Sequence, residues 1–430
     1  MTAPLKIAIA GLGTVGTATV KLLTTHGERI ARRGGRPLVI TAVSARDRRR
    51  DRGVSLEGMV WYDDPVAMAR TADADVVVEL IGGSGEPARA VCEAAMARGR
   101  HVVTANKALL AHHGLALARA AEAAGVTLAF EAAVASGIPI IKTLREGLAA
   151  NRLDRIYGIL NGTCNYILTT MRESGRDFAD VLGEAQSLGY AEADPSFDVD
   201  GIDTAHKLAL LASLAFGTVV DVDSVYVEGI RHVSALDIGY ANELGYRIKL
   251  LGIARRTAQG IEQRVHPAMV ACTTAIAAVD GVFNAVVAEG DYVGRSVHEG
   301  RGAGGGPTAS AVVADLIDIA AGRSAPTFGV PALALAPPGG AGMAQRRGAF
   351  YVRLMVVDKP GVFADVATAL RDEQVSMESI LQRRRDPGEI VPVVMTLHDT
   401  EEQAMAHALE KIGRLAAVVE PPCLIRIENL

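Results

Sequence analysis

Aromatic residues make up only 4 % of this 430-residue chain, and cysteines number four. With so few large rings the core has to be closed by Ala, Val and Leu, as where helices pack closely on parallel strands. Cys92, Cys164, Cys272 and Cys423 are far apart and form no C-x-x-C pair, so neither a zinc knot nor a disulfide framework is implied and reduced thiols are expected. No run of 18 apolar residues offers a membrane span. Gly11 and Gly13 interrupt the only early apolar stretch, which therefore does not read as a secretion signal. Positive charge is also lacking: 44 Lys and Arg against 49 Asp and Glu leave a net charge of −5, which argues against a nucleic-acid partner. The expectation is a cytoplasmic protein with no membrane or nucleic-acid partner.

What the chain does have is a strand–glycine–helix start. Leu5 to Ala10 reads as a buried parallel strand running into Gly11-Leu12-Gly13-Thr14-Val15-Gly16 and an apolar-periodic helix that ends near Leu23. In such a turn the glycines allow a tight bend, close approach of backbone to a pyrophosphate and close helix packing, with the phosphates at the helix N-terminus. Strands Pro37–Val43, Ala74–Leu80, His101–Thr104 and Val126–Phe130 alternate with helices Ala88–Arg98 and Leu115–Ala124. That alternation predicts a doubly wound parallel sheet over residues 1–137. Ser44, Gly82, Lys107 and Glu131 fall at carboxyl ends of its strands, where such sheets gather ligands.

The second strand ends at Ser44, where an NAD enzyme usually carries an acid for the ribose 2′-hydroxyl. Arg46, Arg48, Arg49, Arg50 and Arg52 follow and suit a 2′-phosphate in forked geometry. NADP is therefore expected over NAD, although Asp47 is a possible ribose ligand and an arginine run is also an ordinary solvated loop.

Residues 189–207, GYAEADPSFDVDGIDTAHK, set Glu192, Asp194, Asp198, Asp200 and Asp203 ahead of Lys207 and an apolar run. With a helix starting near Ile202, Asp203 and Lys207 share one face. This suits a cationic or hydroxylated small molecule; the alternative is an acidic loop that merely complements a helix dipole. Arg155–Leu160 reads as a strand, and the Asn161-Gly162-Thr163 turn ends it. The Arg301–Thr308 stretch, with Gly302, Gly304, Gly305 and Gly306, lets backbone approach a ligand or serves as a flexible connector. Pro326–Gly342 has linker composition. Beyond it lies a βαββαβ pattern resembling an ACT domain, best matched at Asp358-Lys359-Pro360-Gly361-Val362-Phe363.

In this order GLGTVG, VTANKALLA, GILNGTCNYIL, LGYAEADPSFDVDGIDTAHKLALLA and GRGAGGGPTASAVVADL resemble the homoserine dehydrogenase family, of the monofunctional bacterial type with a C-terminal ACT domain. The resemblance implies interconversion of L-aspartate 4-semialdehyde and L-homoserine with NAD(P)H, on the route to threonine, methionine and isoleucine. It implies a Rossmann sheet over 1–137, an α+β substrate, catalytic and dimerisation region over 138–322, a linker over 323–348 and a ferredoxin-like ACT module over 349–430. Lys207 matches the proton donor and acceptor, and Lys107 the lysine that contacts cofactor and substrate. Glu192 matches the group for the substrate ammonium, Asp198 and Asp203 are supporting carboxylates, and Thr163 and Tyr190 are secondary contacts. Gly82 and Gly302 join the glycine turn, Ser44 and Arg46 in cofactor binding. Glu131 with the carbonyls of Val134, Ser136 and Ile138 matches a Na⁺ or K⁺ site, Ser136 standing where small apolar residues are common. A homodimer or homotetramer with threonine as effector at the ACT module is implied as well.

A free lysine, with a pKa of about 10.4, is a poor acid near neutrality. Two lysines converging on one site are expected to lower one another. A non-catalytic sensor built on the same modules would tolerate loss of Lys107, Lys207 or Glu192, yet all three are present. Another amino-acid dehydrogenase on this scaffold offers no reason for the 189–207 match.

Overall fold

The computed structural model describes residues 2–430 apart from 338, 341, 384, 385 and 387. Pro338 and Ala341, both within the expected linker, thus lie outside the described residues. The first sheet is formed by β1 (Leu5–Ala10), β2 (Leu38–Ser44), β3 (Val60–Tyr62), β4 (Val76–Glu79), β5 (His101–Thr104) and β6 (Leu128–Ala129). It is parallel throughout, in the order β3-β2-β1-β4-β5-β6. Every residue of β4 is buried, which is why it reads as a continuous apolar run rather than an alternating one. The helix after β5 begins at Lys107, not near Leu115 as expected. Asn106 caps it, its side-chain oxygen accepting the Leu109 amide at 3.1 Å.

One covering helix comes from far along the chain. Val312, Leu316 and Ile319 of the Gly305–Ala320 helix join Ile7, Ile9, Val20, Val76 and Val78 in one buried cluster. Gly305 makes the approach possible, because a Cβ there would stand 3.2 Å from the Thr14 side chain and 3.3 Å from Ala18. The glycine-rich 301–306 stretch is thereby drawn up to the start of the Thr14–Thr25 helix.

Among the described residues the second sheet has ten strands: β7 (Leu153–Ile159), β8 (Tyr226–Val227), β9 (Tyr246–Thr257), β10 (Gly260–Ala271), β11 (Phe283–Gly290), β12 (Gly294–Arg301), β13 (Arg347–Val357), β14 (Met377–Leu381), β15 (Ile390–Glu401) and β16 (Cys423–Glu428). Its path is β12-β11-β7-β9-β10-β16-β13-β15-β14, with β8 beside β10. The hairpin partners β10, β11 and β12 went unread in the sequence. The Ile202–Phe216 helix lies flat on β9, where Gly252 leaves room for Leu160, Thr204 and Leu208.

The C-terminal module is not merely strung on the 323–348 stretch: its strands continue the second sheet. β16 pairs in parallel with β10, Ala268 opposite Arg426 and Val270 opposite Glu428. The seam is charged and buried. Arg264, 2 % exposed, donates to Glu428 at 2.9 Å and also pairs with Glu262. Arg346, likewise buried, reaches the other Glu428 oxygen at 2.8 Å. Across the same junction Arg353 and the Tyr351 hydroxyl both donate to Asp237, at 2.7 and 3.0 Å. Glu428 is held well below the usual carboxylate range: burial pushes it up, and Arg264, His266 and Arg346 outweigh that.

Candidate active site

Asp203 is the hub of the site. It sits in the first turn of the Ile202–Phe216 helix, which follows Gly201 at φ 87°, and it is 3 % exposed. Its Oδ2 accepts from Lys207 Nζ at 2.8 Å and from the Asn161 amide at 2.9 Å, while its Oδ1 pairs with Lys107 Nζ at 2.9 Å. Lys207 also donates to the Leu160 carbonyl at 2.7 Å, where β7 ends. Asn161 spans the site: its oxygen caps the Gly162–Ser174 helix through the Cys164 amide, and its nitrogen reaches Asp198 at 2.8 Å as well as Asp203.

Burial favours the neutral form of Asp203, yet Lys207 and Lys107 hold its carboxyl well below the ordinary value. That pairing stabilises the fold above about pH 3.9, the unfolded value, and is lost only as pH falls through the lower folded value. For Lys107 the expected mutual lowering is corrected. Burial does work to lower it, but Asp203, Asp198 and Glu192 outweigh burial and raise the ammonium. The carboxylate between the two lysines shields each from the other. Asp198 moves upward, chiefly through burial.

The remaining acidic-loop residues form the mouth. The Thr163 hydroxyl donates to the Tyr190 carbonyl at 2.7 Å, and the Tyr190 ring packs on Tyr166 with centroids 4.9 Å apart. Glu192 is exposed and its carbonyl is held by Gln186 at 3.0 Å. Asp200 pairs with Arg231 at the surface, and Asp194 accepts the Ser196 amide at 3.1 Å. Two contributors carried no sequence signal. Phe197 lies under Lys107, 5.7 Å from ring centre to ammonium, and its ring is 5.4 Å from that of His206. A lone histidine in an apolar helix reads as core, and burial does lower its pKa.

The glycine turn fits a dinucleotide. A Cβ on Gly11 would stand 2.5 Å from the Leu80 carbonyl and one on Gly16 2.0 Å from the Gly11 carbonyl, so both are sterically required. Gly13, by contrast, precedes the Thr14–Thr25 helix with open space where its Cβ would be, and Thr14 beside it is exposed, leaving helix amides for a phosphate. Leu12 is buried in the core and Val15 partly covered, so those two contribute backbone. Gly82 takes φ 86°, and the preceding loop is held by Glu79, whose Oε1 accepts the Ile81 amide at 2.7 Å and whose Oε2 accepts the Thr104 hydroxyl at 2.6 Å.

Ser44 is buried and its carbonyl accepts the Gly11 amide at 2.9 Å, while Arg46 is exposed beyond it. Arg52 takes a structural post, donating to the Leu12 and Asp47 carbonyls at 3.2 and 2.6 Å over the Trp61 ring. Gly302 is packed against Asn284, whose amide nitrogen would be 1.9 Å from a Cβ.

The Glu131 carboxylate accepts the Ile141 and Lys142 amides at 2.9 and 2.8 Å. Its own amide donates to Asp315, whose carboxyl is pushed up to about 7 by burial and by Glu131. The loop beyond turns through Ser136 at φ 44°, and the Ile138 carbonyl accepts the Ile140 amide at 2.7 Å. A carboxylate has about four acceptor positions. Two remain on Glu131 beside the amides it accepts.

Comparison with known proteins gives this geometry a family. Residues 139–317 match the family model described as homoserine dehydrogenase, residues 11–131 that of homoserine dehydrogenase, NAD binding domain, and residues 350–417 that of the ACT domain. The chain belongs to the homoserine dehydrogenase family. It is 47 % identical to homoserine dehydrogenase of Pseudomonas aeruginosa and 45 % identical to that of Neisseria gonorrhoeae, with 99 % of both chains covered in each case. The crystal structure of a homoserine dehydrogenase from Thiobacillus denitrificans superposes with a TM-score of 0.93 at 45 % identity, covering 99 % of each chain. A hyperthermophilic archaeal homoserine dehydrogenase, solved in complex with NADPH, gives 0.63 at 26 % identity over 74 % of this chain and 97 % of its own. As a homoserine dehydrogenase the chain interconverts L-aspartate 4-semialdehyde and L-homoserine with a nicotinamide cofactor.

Proposed function

We propose that Lys207 holds and delivers the proton at the substrate oxygen, with Lys107 beside it stabilising the negative charge that develops there. The observation that carries this reading is the single carboxylate, Asp203, bound to both ammonium groups. The nicotinamide supplies the hydride, which leaves charge on that oxygen. Lys207 uses two of its three donors on Leu160 and Asp203, so the third is available to the substrate. A buried, oriented ammonium stabilises the oxyanion better than water does, because it needs no reorganisation.

Glu192 pairs with the substrate α-ammonium at the mouth, with Thr163 and Tyr190 around it and Asp198 behind. Exposure of its carboxylate before substrate arrives supports this role. Glu192→Gln keeps shape and removes charge, and steady-state kinetics in both directions should show KM rising more than kcat falls. Unchanged KM for homoserine and aspartate semialdehyde would leave Glu192 a structural residue.

NADP is the favoured cofactor, supported by the absence of an acid at the end of β2 and by the arginines that follow Ser44. Arg46→Ala should weaken NADPH by about 1–3 kcal/mol, the scale of a charged hydrogen bond, and leave NADH almost untouched when binding is titrated by fluorescence. Equal losses for the two cofactors count against it.

Glu131, Val134, Ser136 and Ile138 hold a monovalent cation that stiffens the loop beside the cofactor. Threonine, or another amino acid, acts at the C-terminal module in a cytoplasmic homodimer or homotetramer. NADPH oxidation with aspartate semialdehyde, repeated with NADH, with K⁺ replaced by a large organic cation, and with added threonine, tests these assignments together.

A further inference from the structure

The acidic turn that presents Asp198 and Asp203 does not hold itself in place. Residues 228–231 run beneath it as a strap. Ile230 donates its amide to the Val199 carbonyl at 2.9 Å, and Gly229 lies so close that a Cβ would be 2.3 Å from the same carbonyl and 2.6 Å from Asp200 Cα. Arg231 grips Asp200 and donates to the Ser196 hydroxyl at 3.0 Å. Just before the strap, Val227 with Val265 bounds the space at Gly201, where a Cβ would meet both at 3.1 Å.

The strap is fixed at its other end by the C-terminal module. Arg426 of β16, 4 % exposed, donates to Glu228 Oε2 at 2.6 Å and to the Tyr226 hydroxyl at 3.1 Å. Glu228 donates its amide to the Val265 carbonyl at 2.8 Å, and His232 stands 3.1 Å from its second oxygen. A short series of direct contacts thus joins β16 to the hub: Arg426, Glu228, Gly229, the Val199–Gly201 backbone and Asp203.

We propose that the Glu228–Arg231 strap is the positioning device of the substrate turn, and that Arg426 of the C-terminal module sets it through Glu228. Neither residue touches substrate. Both act on where Asp198 and Asp203 stand, so their loss shifts the substrate side of the site and leaves the dinucleotide side alone. The proposal rests on the reading of 192–207 as the substrate side. That reading fails separately, by a Lys207→Ala enzyme that still turns over.

The sharpest probe is Gly229→Ala in the full-length chain. Gly229 is not among the positive-φ glycines, so alanine meets no torsional barrier and acts only by pressing on Val199 and Asp200. The KM for aspartate semialdehyde should rise about tenfold or more, with the NADPH Kd within about twofold of the parent. Glu228→Gln and Arg426→Met should raise the same KM by smaller factors, and the double variant should have a KM no worse than the more affected single one, because both remove the Arg426–Glu228 pair; Arg426→Met also frees Glu402, a loss read in the melting temperature. These two decide the question if Gly229→Ala does not fold. Lower melting temperatures with unchanged KM, or parallel losses in KM and NADPH Kd, overturn the proposal in favour of a merely structural seam.

Discussion

Lys207→Ala should lower kcat by about 10²- to 10⁴-fold, the range for loss of a general acid, while NADPH binding stays close to normal. The separation follows from geometry. Lys207 is tied to Leu160 and Asp203, both on the side of the Ile202–Phe216 helix, whereas the glycine turn that fits the dinucleotide lies between β1 and the Thr14–Thr25 helix. A second consequence is visible without turnover. Removing one ammonium leaves Asp203 with Lys107 and Asn161 alone, so its carboxyl should titrate at a higher pH than in the parent. Rapid-mixing kinetics with a deuterated nicotinamide, alongside equilibrium NADPH titration, provides the measurement. A variant that retains more than about a tenth of parental kcat removes Lys207 from the proton path.

Truncation before β13 should be more drastic still and should act on the fold itself. Without Arg346 and Glu428, Arg264 keeps only Glu262 and His266 as side-chain partners. Asp237 loses both Arg353 and Tyr351. Both junctions are lost at once, against a stability of an ordinary domain of only about 5–15 kcal/mol. In addition the Ala268–Val270 stretch of β10 loses its parallel partner and becomes an open edge. The shortened chain should aggregate or melt far below the parent in circular dichroism. Recovery of a soluble fragment with parental melting temperature and turnover would show the seam to be dispensable.

These two expectations mark what could be read in the residues and what could not. The dinucleotide end was legible because Gly11 and Gly16 answer a local steric demand, and strand–helix alternation points to a doubly wound parallel sheet. The Asp203–Lys207 pair was legible because both lie on one helix, where spacing settles proximity. Lys107 joined them through a resemblance, since nothing local tells a lysine at the start of one helix that it faces another about a hundred positions away. The seam was invisible for a related reason. Arg264, Arg346, Arg426 and Glu428 look like surface charges until parallel pairing of β10 with β16 buries them together. The Pro, Gly and Ala of the 326–342 stretch read as a connector but are silent about what its two ends do. Asn161 was legible as part of a turn. Its other task, bridging two carboxylates through one amide, needed the fold.

The long return of the Gly305–Ala320 helix onto the first sheet bears on how the chain is made. During synthesis β1 to β6 emerge early and can pair, but the face that Val312, Leu316 and Ile319 cover stays bare until residue 320 has left the ribosome. Through that interval the nascent chain presents an apolar sheet surface to whatever it meets, a condition in which chains of this size are prone to misassembly. Nucleotide affinity and protease resistance should therefore appear together and late, once the stretch near residue 320 is free to fold back, rather than in step with the strands that form the cofactor turn.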